Sequence, residues 1–154
     1  MNKKIWIIII LLFFLIDLIL IYPSVLDKQV DVYDMDVYVT DTNENAFNLD
    51  KDKLHFGIMS NSSFSSYRDL VLNNPYDYSL KFKIWAEGDM AKNIVYEYEG
   101  SNYDSLNLIL NPGETKTLKI IFNRNQLPIG FYEGQTFVSI RETFFLDNFL
   151  ESFL

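Results

Sequence analysis

Apolar positions along this chain follow three rules in turn. From Ile5 to Ile21 they are continuous: 16 of 17 residues are apolar, and Asp17 is the exception. From Val30 to Arg141 they alternate with polar residues in short runs separated by Gly, Pro, Asn and Ser. Period 2 marks a strand with one buried face. The clearest case is Tyr78–Glu87, where Tyr78, Leu80, Phe82, Ile84 and Ala86 share one face and Ser79, Lys81, Lys83, Trp85 and Glu87 the other. Further strands are predicted over Val30–Thr40 (bulged near Asp34), Leu54–Met59, Tyr67–Asn73, Asn93–Glu99, Ser105–Leu110, Thr115–Asn123 and Phe131–Arg141. In the last stretch, Phe145-Leu146, Phe149-Leu150 and Phe153-Leu154 recur every four residues, which is a helical stripe.

Eight short strands with no helix between them predict an all-β chain, an Ig-like antiparallel β-sandwich of about seven or eight strands. One N-terminal transmembrane helix is expected before it and a short amphipathic helix after it. The division is 1–26 signal-anchor, 27–53 acidic stalk and first strand, 54–142 sandwich, and 143–154 amphipathic segment.

The N-terminal run has the hydropathy of a membrane anchor. In helical form its 17 residues rise ~25 Å, against a hydrocarbon core of ~30 Å. Asp17 costs roughly 2.5–3.5 kcal/mol in mid-bilayer, and each Leu, Ile or Phe returns roughly 0.3–0.6. A cleavable signal peptide is the competing reading, but no Ala precedes Ala46 to make a cleavage site. Lys3 and Lys4 predict a cytoplasmic N-terminus. The expectation is a single-pass protein of the cell membrane, held through residues 5–21, with its C-terminal domain extracytoplasmic. Asp17, near the outer end, is the candidate contact for a membrane partner.

Charge and composition narrow the function. A net charge of −8 argues against nucleic acid as a partner. With no cysteine there are no disulfides or thiolate chemistry, and 13 Phe, 10 Tyr and 2 Trp must supply the packing. His55 is the one histidine and has no motif beside it, so a Ser-His-Asp triad has no support. Nothing marks a pair of the acidic residues for glycosidase chemistry. No enzyme activity, cofactor or small-molecule substrate is expected.

Two weaker signals remain. Asp41, Asn43, Asn45 and Asp52 place oxygen ligands at positions 1, 3, 5 and 12 of a calcium-type loop. Position 6 is Ala46 where a glycine is needed, and Asp52 is short for bidentate reach, so an acidic solvated loop is the plainer reading. Asn61-Ser62-Ser63 is a glycosylation sequon in a Ser-rich turn.

Leu54-x-Phe56-Gly57, Arg68-x-Leu70-x-Leu72-x-Asn74 and Leu80-x-Phe82-x-Ile84 together resemble the opening of Ig-like domains of the Hydin, abnormal-spindle and major-sperm-protein type. Asn111-Pro112-Gly113-Glu114, Leu118-x-Ile120 and Leu127-Pro128-x-Gly130-x-Tyr132-x-Gly134 resemble the second half of fibronectin-III-like and NEW3-like modules of archaeal and bacterial surface proteins. The resemblance covers about residues 54–141 and implies a module that binds proteins or acts as a spacer. It implies a tyrosine-corner role for Tyr132, with its hydroxyl bonded back to nearby backbone. It also leaves a strand position vacant after the Tyr132 strand: either Val30–Thr40 fills it, or the edge stays open and invites an added strand from another chain.

The function expected is a non-enzymatic, membrane-anchored Ig-like module for protein–protein interaction or cell-surface structure. The alternatives are a stator-like accessory of an archaellum or pilus, and a strand-exchanging chaperone. Phe145, Phe149, Leu150 and Phe153 are the candidate docking residues for an unidentified protein.

Overall fold

The computed structural model describes residues 3–25, 29–42, 53–60, 63–125 and 127–143. Among the described residues, one α-helix, α1 (Lys3–Val25), precedes nine strands. These are β1 (Gln29–Val39), β2 (Leu54–Met59), β3 (Ser65–Asn73), β4 (Leu80–Gly88), β5 (Ile94–Tyr98), β6 (Ser101–Tyr103), β7 (Leu106–Leu110), β8 (Thr115–Asn123) and β9 (Gly130–Glu142). A single 3-10 turn, Ala91–Asn93, leads into β5.

The strands form two sheets. Sheet A runs β2-β1-β9-β4-β7 and sheet B runs β3-β8-β5-β6. Every pairing is antiparallel except β1 with β2. The alternation seen in the sequence sets which side chains meet. Val37, Phe56, Phe82, Ile84 and Val138 of sheet A face Leu70, Tyr96, Leu118, Ile120 and Phe122 of sheet B, all buried. Phe56 and Phe122 meet across the layers with ring centroids 5.7 Å apart. Each such side chain contributes about 1.5–3 kcal/mol on burial. This two-layer, all-β arrangement is a β-sandwich compatible with an Ig-like fold.

β1 stands inside sheet A, with β9 on one side and β2 on the other. It is paired with β9 without interruption from Gln29↔Ile140 to Val39↔Gly130. The irregularity expected near Asp34 lies instead on β2. Asp36↔His55 is followed by Tyr38↔Ile58, so β2 carries one extra residue, at Phe56-Gly57. Gly57 has φ 81°, a value that suits glycine at a bulge. Tyr78 also departs from expectation. It is 39% exposed, outside β4, and stacks on Tyr76 at 5.2 Å.

The transmembrane part of the expected fold class is corrected. Among the described residues, no helix is long and apolar enough to cross a membrane. The charge-free apolar run inside α1, Ile5 to Ile16, holds 12 residues and Asp17 closes it. Twelve helical residues rise about 18 Å, well short of a ~30 Å core. Strand β6, only three residues long, joins the eight strands expected from the pattern. The expected C-terminal helix over 143–154 lies outside the described residues beyond Thr143.

Candidate functional site

β4 and β9 come unusually close at Gly88 and Gly134, which are cross-strand partners. A Cβ on Gly134 would sit 2.9 Å from the Glu87 carbonyl oxygen and 3.2 Å from Met90 Cβ, so only glycine fits. Above this approach lies a cleft of about 480 Å³ lined by Asp34, Met35, Lys53, Glu87, Asp89, Glu133 and Gln135 with the two glycines. Four carboxylates face one ammonium there. Gln135 Nε2 donates to Asp34 Oδ1 at 2.8 Å, and Trp85 Nε1 donates to Glu87 Oε1 at 2.7 Å. The cleft is built to attract cationic groups. It offers no nucleophile with an adjacent base, and among the described residues no three His, Asp or Glu side chains are grouped to hold a metal.

His55 lies beside this region on β2. Its Nδ1 is 2.7 Å from Asp36 Oδ1, and the parallel register makes the two residues direct partners. Both side chains are largely buried. The pair ties β2 to β1, a structural task. The sequence gives no hint of this partner, because Asp36 and His55 meet only once the two strands run parallel.

The four strands at sheet edges are not equally protected. β6 has three residues. The β2 edge is bulged, and Ser66 Oγ donates to the Phe56 carbonyl at 3.0 Å. On β7, Lys116 Nζ donates to the Ile109 carbonyl at 3.3 Å. β3 has nine residues, all paired with β8 on one side. Arg68 Nη1 donates to the Tyr67 carbonyl at 3.0 Å. Asp69–Asn73 follows with neither Lys nor Pro to blunt it. The outer surface here is apolar, with Phe64 84%, Tyr67 56% and Val71 60% exposed. Lys119 borders it, 5.6 Å from the Tyr67 ring centroid and 3.3 Å from Glu97 Oε1.

The residues singled out from sequence are dispersed. Asp17 is exposed on α1. Asp41 is exposed after β1, while Asn43, Asn45 and Asp52 of the calcium-type loop lie outside the described residues. So do Asn61 of the sequon and Phe145, Phe149, Leu150 and Phe153 of the apolar stripe. Tyr132 does what the tyrosine-corner resemblance implies: its hydroxyl donates to the Pro128 carbonyl at 2.9 Å. Missed by the sequence reading were the acidic cleft and the β3 edge. Gly134 inside a strand was the available signal for the first, since it marks a close backbone approach.

No family model matches the chain. No curated protein matches it.

Proposed function

We propose that this chain is a non-enzymatic Ig-like module for protein–protein interaction, whose β3 edge accepts an extended segment of a partner. The observation that carries this reading is the nine-residue edge strand β3, with Val71 and Tyr67 exposed on its outer face. Added strands gain main-chain hydrogen bonds from such an edge and specificity from alternate side chains. The same feature favours the strand-exchanging reading over the stator-like one. The finer assignment, to the Hydin or NEW3-like type of surface module, rests on the motif order between residues 54 and 141.

The module is held at a membrane surface by α1. Trp6 to Ile16 are exposed on every side of this helix, from 39% at Ile9 to 66% at Phe14. A run of 10–14 apolar residues suits an interfacial segment that enters the apolar layer without crossing it. Flotation with liposomes checks this: the full chain rises with the lipid, and a chain beginning at Gln29 stays in the soluble fraction.

Blocking the edge tests the main reading. Val71→Lys and Tyr67→Lys place charge on exposed positions and leave the core untouched. Both should abolish capture of the partner from the native membrane while the unfolding midpoint is unchanged. Partner capture that survives both substitutions removes β3 as the binding edge.

A further inference from the structure

Hydrogen bonds just beyond its two ends show which backbone groups β3 presents at its open edge. The Arg124 N–H donates to the Phe64 carbonyl, and the Asn74 N–H donates to the Glu114 carbonyl. Both bonds continue the register that pairs Ser65 with Asn123 and Asn73 with Thr115. In an antiparallel ladder bonded pairs alternate with unbonded ones, so the even-numbered residues of β3 direct their N–H and C=O groups to β8. Tyr67, Asp69 and Val71 turn theirs to the open edge. The side chains of these three also stand exposed on the outer face of sheet B. Each heads a cross-strand row there. Tyr67 continues into Ile121 and Val95, and Val71 into Thr117. Asp69 continues into Lys119 and Glu97, a row of alternating sign. Lys119 gives its ammonium to Glu97, at 3.3 Å. Among the described residues, Asp69 forms no ion pair and stands at the open end of its row.

We infer, on the reading that β3 is the accepting edge, that the segment it takes carries a basic residue flanked by apolar residues two positions to either side. A Lys or Arg opposite Asp69 adds a cation to the row Asp69, Lys119, Glu97, and opposite charges across two strands attract while like charges repel. Apolar side chains opposite Tyr67 and Val71 extend the two neighbouring rows. The residues between them fall on the inner side, beside Arg68 and Leu70, because side chains alternate along a strand. This pattern reads the same in both directions, so a parallel and an antiparallel segment can both present it. A second copy of this chain does not. Outer-face side chains stay on one face only where odd-numbered residues oppose odd-numbered ones. Aligned on Asp69, two copies of β3 set one carboxylate directly against the other. Slipped by one pair, they set Asp69 against Tyr67 or against Val71, and neither is a cation.

The probe is the synthetic peptide acetyl-TVTKTVT-amide, compared with the same peptide carrying Glu or Gln in place of its Lys. Each is titrated into the isotope-labelled chain in neutral detergent micelles, and backbone amide signals are followed by NMR. The Lys peptide should shift the amides of Tyr67, Asp69 and Val71 and bind about threefold to tenfold tighter than the Glu peptide, with Gln between them. Asp69→Lys should reverse that order. Asp69 is exposed, so this variant should unfold at the same midpoint as the native chain. Equal affinity of the three peptides at β3, or an order that Asp69→Lys leaves unchanged, overturns the inference while the edge reading stands. A preference for the Lys peptide with shifts at Glu87 and Glu133 instead of β3 moves the contact to the acidic cleft and overturns it as well. Amides of β3 that no peptide moves overturn the edge reading and the inference together. Shifts of the same amides with protein concentration, in the chain alone, would make a second copy the occupant and also overturn it.

Discussion

Asn74 ties two turns to a sheet edge through one side chain. Fully buried, its Nδ2 donates to the carbonyls of Tyr78, Leu110 and Asn111, and its Oδ1 accepts from the Tyr76 N–H. Asn74→Ala removes these bonds, leaving the Asn111 carbonyl only the Glu114 N–H, and should cost about 1–3 kcal/mol in urea unfolding. Tyr96 is the second buried polar anchor, 3.2 Å from Thr136 Oγ1, which donates to Met35 Sδ. Burial pushes its hydroxyl up to about 12, partly offset by the bond to Thr136. The neutral phenol is therefore favoured in the folded state. Its contribution is complete below about pH 10 and is lost as pH rises from there toward 12. Tyr96→Phe should flatten the alkaline loss of stability, read as unfolding midpoint against pH. Glu114 acts at the opposite end of the scale. The Asn111 N–H donates to it at 2.7 Å and holds its carboxyl below the usual glutamate range, helped by Lys116. Stability from this turn is present above the ordinary glutamate pKa of about 4.3 and is lost as pH falls through the lower folded value. Glu114→Gln should weaken that acid dependence.

At the scale of elements, the chain is most constrained where β1, β9 and β4 run side by side. Gly134→Ala forces a Cβ against the Glu87 carbonyl at 2.9 Å and should cost about 1–3 kcal/mol. It should also narrow the acidic cleft. The alternation made the eight larger strands legible, because the period survives in the sequence. β6 was not legible, since three residues, Ser101–Tyr103, all exposed, carry no period. Nor was the parallel pairing of β1 with β2. Neighbouring strands in such a pattern suggest antiparallel partners, yet 14 residues separate Val39 from Leu54. That length satisfies the dozen or so that a parallel connection needs. The Asp36–His55 pair follows from this pairing and was hidden with it.

For the whole molecule, hydropathy overstated the N-terminus and understated the surface. Counting 16 apolar residues in 17 hides the fact that Asp17 cuts the charge-free run to 12. The candidate site was hardly legible, because an edge and a cleft are defined by what stands beside them. Val71 reads in sequence as one more strand residue; that β3 ends sheet B is a property of the sheet order. The central claim is that this edge receives a partner strand. A photo-crosslinking amino acid placed in turn at Tyr67, Val71 and Ile109 of the chain, expressed in its native cells, tests it most directly. One crosslinked partner is expected from positions 67 and 71, on β3, and none from 109, on β7 at the opposite edge of the sandwich. Equal labelling from all three positions, or labelling from Ile109 alone, would contradict it.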